Sequence, residues 1–562
     1  MDSFEPARPA NPIARPKPPV ATAPRPEAPA KSSAKQKSQR KEQVSRIIER
    51  EIRHLPMPEE DRKKLERTAL HPGKSAEAQR AASELRRAVY ATRSMPRAAQ
   101  ENLVKPFVDH PHGERAHSAA RLVRDSHFRK ASTSEKELMA RVFPSTSPAT
   151  ARGLPAVARQ LSQAKLPAAQ REQILRHAFS AKSDADMRLA TRDVLRALKG
   201  QPEQTQQALL EPFTRPRLSE KKAAYASKLV HSPAWKSLGA PERTQLAQVL
   251  STASPDNLRS LHMLSQMPGM LMDRDAQGGT LLSNLAQLAK GPLHPALHER
   301  RAELLNGVLE ETAQSFQVDQ KEFNTCTVTS MQYELVRDNP AEYARLIAGL
   351  AGPTGRVGMR GGGEIELQDD SLSSKASGPY SSAHRTLSEA IFQTSLMEFA
   401  NGIDEYYVQG SRGTDESVRP DGSTYTGQYA PGMVQTASAL FGRAYTTWYK
   451  TPSTFDAQME FLRNYQPAGP NTPVLISYDT TPGIDGGNHA VNFVSMQGDR
   501  VFFRNPWGTE YFLKAGDIQH DQSRVEDPKT GLYSFTIEQL RTLMWDLTVP
   551  EEARGFGAPA AA

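Results

Sequence analysis

The chain contains one cysteine, Cys326, within Phe323-Asn324-Thr325-Cys326-Thr327-Val328. Val328, Met331 and Leu335 follow at i, i+3 and i+7, and Pro340 stops the run, so the spacing predicts a helix over 327–338. Asn324 or Thr325 would be its N-cap. A cysteine in that first turn meets unpaired N–H groups and the positive end of the helix dipole, which favour a thiolate. The competing reading is a small buried hydrophobe. A second group lies far downstream. Gly487-Asn488-His489-Ala490-Val491-Asn492-Phe493-Val494 reads as a strand, Gln497-Gly498-Asp499 as a tight turn, and Arg504-Asn505-Pro506-Trp507-Gly508 as the end of the next strand. In an antiparallel pair His489 and Asn505 come close to opposite each other. The Asn505 amide oxygen would then fix one imidazole nitrogen and leave the other for a thiol, the nucleophile, base and orienter of cysteine catalysis. Trp507 would cover that bond and exclude water. An ordinary hairpin with a polar end is the alternative.

These residues resemble the papain-like cysteine peptidases, a group that includes the calpains. The likeness rests on the His-Ala-Val strand at His489, with Asn488 before it, on Asn-Pro-Trp-Gly from Asn505, and on the interval between them. Gln320 lies where the family keeps its oxyanion-hole glutamine, and the chain order Gln, Cys, His, Asn agrees. The resemblance covers about 315–550 and implies an α+β papain-like domain. It further implies a Cys326-His489-Asn505 triad, Gln320 as oxyanion donor, Trp507 and Asn488 in support, no cofactor or metal, and a protein or peptide substrate. Thr327 stands where the family commonly has an aromatic, and nothing between Cys326 and His489 aligns. An acyl transferase on the same fold, of transglutaminase or deamidase type, and an inactive papain-like adaptor are the alternatives.

The elements that must position these groups fall into a multidomain order. Residues 1–42 are Pro, Ala, Lys, Arg and Ser with hardly an aliphatic residue, too little to offset chain entropy, so a disordered tail is expected. Residues 43–310 read as helix after helix. Proline followed by a polar run and a helical pattern recurs at Pro58, Pro96, Pro167, Pro202 and Pro241, with a similar start at Ser134. That period fits helical-hairpin repeats, an α-solenoid, or an irregular helical domain with proline caps. Residues 311–550 turn to Gly, Tyr, Thr and Ser. Helices are expected at 327–338, 341–350, 384–400, 433–441 and 454–464. Strands follow at Val474 to Tyr478, Ala490 to Met496, Arg500 to Phe503 and Glu510 to Leu513, an α+β pattern. Residues 551–562 should form a flexible tail.

The whole chain has 562 residues, 71 Lys+Arg, 63 Asp+Glu and a formal net charge of +8. Charge is uneven: residues 321–562 hold 19 Lys+Arg against 29 Asp+Glu, so the first 320 are strongly basic. The basic residues alternate with acids and lack aromatic company, which argues against nucleic acid. With one cysteine there is no disulfide framework or cysteine-based zinc site. No apolar run reaches a membrane span, and the N-terminus lacks an apolar signal core. These features fit a cytoplasmic protein or one leaving by a specialised route, such as a bacterial effector or toxin, or a regulated protease. Its helical half would dock a partner or restrain the acidic half. Weaker motifs read as structure. Arg360-Gly361-Gly362-Gly363-Glu364 is a turn without a phosphate loop's Lys-Ser/Thr. His110, His112 and His117 are a surface cluster. Asp415, Glu416 and Asp421 are a solvated loop, and Tyr406-Tyr407 and Trp448-Tyr449 are core or cleft wall.

Overall fold

A computed structural model describes residues 34–556 other than 149, 165, 180–184, 215–219, 322, 368–371, 373–384, 402–405, 409–415, 419–423, 426, 429, 467–471, 481–487 and 508–521. The strand expected at Glu510 to Leu513, and Gly487, Gly508, Asp415 and Asp421, lie outside the described residues. The chain divides into two compact units, 1–120 and 121–562.

The first unit is helical: α1 (Ala34–Arg53), α2 (Glu59–Leu70), α3 (Ala76–Thr92), α4 (Arg97–Val104) and α5 (Pro106–Asp109), with the division falling inside α6 (Glu114–Arg124). α1 begins at Ala34, within the stretch expected to be disordered. The last proline of the tail is Pro29, and the Lys, Gln, Arg and Glu that follow are good helix formers. A Glu42–Arg46 pair at 2.8 Å adds i,i+4 support, and Ile48 and Ile52 anchor the far end in the core.

The second unit opens with α7 (Ser126–Lys130), α8 (Thr133–Val142), α9 (Leu154–Gln163), α10 (Ala168–Phe179), α11 (Ala185–Ala197), α12 (Glu203–Thr214), α13 (Glu220–His231), α14 (Pro233–Ser237), α15 (Ala240–Thr252), α16 (Leu258–Ser265), α17 (Pro268–Leu271), α18 (Leu281–Lys290) and α19 (Arg301–Ala313). The expected starts fall at helix starts: Pro58 and Pro96 are N-caps, Pro167 and Pro202 precede α10 and α12, and Pro241 lies in the first turn of α15. The start expected at Ser134 belongs to Ser132, whose hydroxyl accepts from Glu135 N–H in a reciprocal capping box.

Packing is in two rows. α8, α10, α12, α15 and α18 stack on one another in turn, and so do α9, α11, α13, α16 and α19. The rows do not stop at residue 310, which lies inside α19. α20 (Cys326–Asp338) is followed by α21 (Pro340–Leu350), which packs on α18, and by α22 (Leu387–Asn401), which packs on α19.

The remaining elements include α23 (Ala430–Phe441), α24 (Phe455–Asn464), α25 (Ile537–Leu543) and, among the described residues, three antiparallel sheets. Two short strands, β1 (Arg356–Gly358) and β2 (Glu364–Glu366), form a hairpin whose turn is the Gly-rich Arg360–Gly363 segment. There Gly361 lies against the Ser438 and Ala439 carbonyls, leaving no room for a Cβ. β3 (Tyr406–Val408), β4 (Glu416–Val418) and β5 (Thr424–Tyr425) make a small separate sheet.

The large sheet contains β6 (Tyr445–Tyr449), β7 (Leu475–Asp479), β8 (Asn488–Gln497), β9 (Arg500–Arg504), β10 (Arg524–Asp527), β11 (Leu532–Thr536) and β12 (Met544–Pro550), in the order β10-β11-β9-β8-β7-β12-β6. One face carries the apolar core of Ile476, Tyr478, Val491, Phe503, Phe535 and Leu547, with α24 and α25 residues such as Phe455 and Leu540. α20 lies on β8, where Ser330 Oγ donates to Ala490 O at 3.1 Å and Asn492 Nδ2 to Ser330 O at 2.8 Å. Residues 551–556 are not a loose tail. They form a 3₁₀ turn held by Glu551 N–H to Ala444 O at 2.9 Å and by a 2.7 Å Glu552–Arg443 pair. Among the described residues no helix is long and apolar enough to cross a membrane.

Candidate active site

Cys326 is the first residue of α20 and is partly exposed. Thr325 occupies the N-cap position, but its side chain does not cap the helix. Its hydroxyl donates instead to Gln393 Oε1 at 2.8 Å, because α22 brings a buried amide against it. The Cys326 sulfur lies 3.9 Å from the Thr327 hydroxyl, and the backbone N–H groups of Cys326 and Thr327 favour its thiolate. Burial pushes the Cys326 thiol above its ordinary pKa. It is opposed by a hydrogen bond from the Ala490 backbone N–H, by the Thr327 hydroxyl and by those two N–H groups. A helix start alone predicted a lowered value; the surrounding protein outweighs the dipole. The bond to Ala490 places Sγ against β8 at the residue that follows His489.

His489 is 4% exposed. Its Nε2 lies 2.9 Å from Asn505 Oδ1. The ladder pairs Asn492 with Arg504, after a bulge between Phe493 and Ser495 that shifts the register. Asn505 thus lies past the last pair, level with Val491 rather than with His489, and reaches His489 diagonally. The backbone N–H of Trp507 also donates to Asn505 Oδ1, at 3.1 Å. That bond identifies the atom as the amide oxygen, so His489 Nε2 carries its proton. In the neutral ring Nδ1 then holds the lone pair. The Trp507 ring stacks on the imidazole, centroids 4.1 Å apart and planes at 19°, and Tyr478 meets it edge-on at 5.6 Å. Burial lowers the His489 pKa to about 4, against the Asn505 hydrogen bond that raises it.

Gln320 joins this group through its backbone: its N–H donates to Pro506 O at 2.7 Å. Its Nε2 donates to Phe323 O at 2.7 Å, which uses one of its two hydrogens and leaves the other available. Lys321, next to it, is the one non-glycine residue among those described with a left-handed backbone, φ 54°. Asn488 is exposed and pairs with Asp479; as the neighbour of His489 along a strand, it points to the other face.

Sequence reasoning missed Arg504, 2% exposed. Its guanidinium donates to Asn505 O at 2.8 Å, to Phe316 O at 3.2 Å and to Val318 O, tying the segment before Gln320 to the loop that holds Asn505. A charged residue ending the apolar run Val501-Phe502-Phe503 was its only sequence signal. The lesser motifs lie elsewhere. Trp448 is core, stacked edge-on with Phe461 at 5.9 Å, while Tyr449 is exposed. His117 Nδ1 meets Glu84 at 2.6 Å and His112 faces Glu77 at 3.8 Å. Among the described residues no three His, Cys, Asp or Glu side chains gather to hold a metal.

Comparison with protein-family models, with curated protein sequences and with solved structures finds no match to this chain.

Proposed function

We propose that residues 315–550 are a papain-like thiol hydrolase and that the protein is a cysteine endopeptidase, with the helical rows docking a partner or restraining the enzyme. The observation that carries this reading is the shared acceptor at Asn505. One amide oxygen takes both the His489 Nε2–H and the Trp507 N–H, which leaves Nδ1 as the base beside the strand residue that touches Cys326 Sγ.

The thiol proton passes to His489 Nδ1, and Sγ attacks the peptide carbonyl carbon. The resulting oxyanion accepts hydrogen bonds from Gln320 Nε2–H and Cys326 N–H, each such donor supporting the transition state by about 2–4 kcal/mol. The C–N bond breaks as Nδ1–H protonates the leaving amine. Water, deprotonated by the same nitrogen, then cleaves the thioester to a carboxylic acid and restores the thiol. Burial favours the neutral thiol and the neutral imidazole at rest, so deprotonation of one and protonation of the other proceed as a single coupled event.

Fluorescein-labelled casein, incubated with wild type and with Cys326→Ala, tests the reading. Cleavage by the wild type and none above background by the variant is the expected result. Equal cleavage by both overturns it. A mass gain of about 1 Da on casein glutamines without chain scission would assign the site to deamidation instead.

A further inference from the structure

We propose that Gln393 is a positioning residue that fixes the distance between the nucleophile and the oxyanion donor. The inference rests on the thiol-hydrolase reading above. Gln393 lies on α22, a helix buried on nearly every side, and is itself 0% exposed. Its amide makes four hydrogen bonds, the full capacity of the group. Oε1 accepts from Thr325 Oγ1 at 2.8 Å and from Arg385 Nη1 at 2.9 Å. Nε2 donates to Asp319 O at 3.1 Å and to Gln332 Oε1 at 2.9 Å.

Two of those partners immediately precede the reacting groups: Asp319 comes before Gln320, and Thr325 before Cys326. One turn back on α22, Glu389 Oε1 accepts the Asp319 N–H at 3.0 Å, so the Asp319 peptide is held from both ends by one helix. The other bonds pass inward. Gln332 Nε2 donates to Tyr343 Oη at 3.0 Å, and Tyr343 donates to Glu311. Glu311 also accepts from Ser388 Oγ at 2.6 Å and Thr386 Oγ1 at 2.5 Å. The clamp on the two site segments is thereby anchored on α19 and α21, the helices where the two rows meet the site. A saturated buried amide of this kind is costly to leave half-paired, which is why it holds one geometry.

Gln393→Met keeps the shape and removes all four bonds; Thr325→Val removes the one that reaches the nucleophile segment. Both are assayed as full-length protein on labelled casein, with a melting curve for each and with the rate of Cys326 alkylation by iodoacetamide, which needs the thiol but no oxyanion donor. The expected result for Gln393→Met is a kcat lower by about 10- to 100-fold, KM within about threefold and an alkylation pH profile unchanged. Thr325→Val, which removes that bond and the 3.2 Å hydrogen bond with Thr329 Oγ1 but leaves the other three bonds of Gln393 in place, shows the same split at smaller amplitude and decides the matter where Gln393→Met melts below the assay temperature. Unchanged kcat in folded variants of an active enzyme overturns this inference alone. Loss of alkylation in step with kcat also overturns it, since the effect is then on the thiol or the fold. Absence of casein turnover in the wild type overturns the thiol-hydrolase reading and this inference with it.

Discussion

Cys326 and His489 carry opposite consequences of the same burial. Each is held in its neutral form when taken alone, the thiol pushed up and the imidazole lowered to about 4. On the proposed reading an activated thiol therefore requires proton transfer to His489, since the helix start alone does not overcome burial. Alkylation followed by intact mass across pH 5–9 separates the two contributions. In the wild type we expect labelling at pH 6 at least tenfold faster than a free cysteine of pKa about 8.5. In His489→Ala, burial acts unopposed by the imidazole, and labelling should rise only above the free-thiol range. Equal profiles in the two proteins would remove His489 from the role of base. The types and order of Cys326, His489, Asn505 and Trp507 were legible because each belongs to a short motif. Gln393 and Arg504 were not: Arg504 offers only a charge at the end of an apolar run, and a glutamine in Ala-Ile-Phe-Gln-Thr-Ser-Leu acquires its role only from what packs on it.

At the scale of elements, the helices were read from spacing and the strands from apolar runs, and most fall within a few residues of the expected positions. α20 begins at Cys326 against an expected 327, and α22 at Leu387 against 384. The strands at Tyr445–Tyr449 and Met544–Pro550 escaped notice because both mix polar and aromatic residues without clean alternation. β12 also carries a buried carboxylate. Asp546, opposite Ser477 on β7, has its pKa raised to about 6 by burial, partly offset by the Ser477 hydroxyl. A carboxyl whose folded-state pKa is raised costs stability when ionised, so the cost is absent at low pH and complete once pH passes the folded value. Asp546→Asn should stabilise the protein at pH 8 by up to about 3 kcal/mol and by nothing near pH 3.5. Urea melts at the two pH values check this; an equal change at both would assign the effect to packing instead of charge.

For the second unit as a whole, the continuity of the helical rows matters more than any boundary read from composition. Cutting at residue 310 would remove α18 and most of α19, whose Leu304, Leu305 and Val308 are fully buried, and would strip the cover from α21 and α22. A chain starting at residue 311 should therefore aggregate or melt far below the full-length protein. One starting at Gln201, which lacks the first unit and the outer members of each row but keeps α12 onward, should keep a cooperative transition, because stacked helices depend mainly on their nearest neighbours. Size-exclusion chromatography and thermal melts decide between these outcomes. The second truncation is also the suitable one for asking whether the basic helices restrain the proposed hydrolase: higher casein turnover would indicate restraint.

Sequence alone determined the helical and α+β halves, the proline and serine helix starts, and the types and order of the candidate site residues. All of these are encoded within a few residues of one another, through periodicity, capping chemistry and short motifs. Only the tertiary structure decided the bulge that brings Asn505 to His489 diagonally and the diversion of the Thr325 hydroxyl from its own helix to Gln393. It also decided the direction of the Cys326 shift and the passage of the helical rows into the site. Each of those depends on groups tens to hundreds of residues apart meeting in a low-dielectric interior, where burial and cross-element hydrogen bonds outweigh local preference.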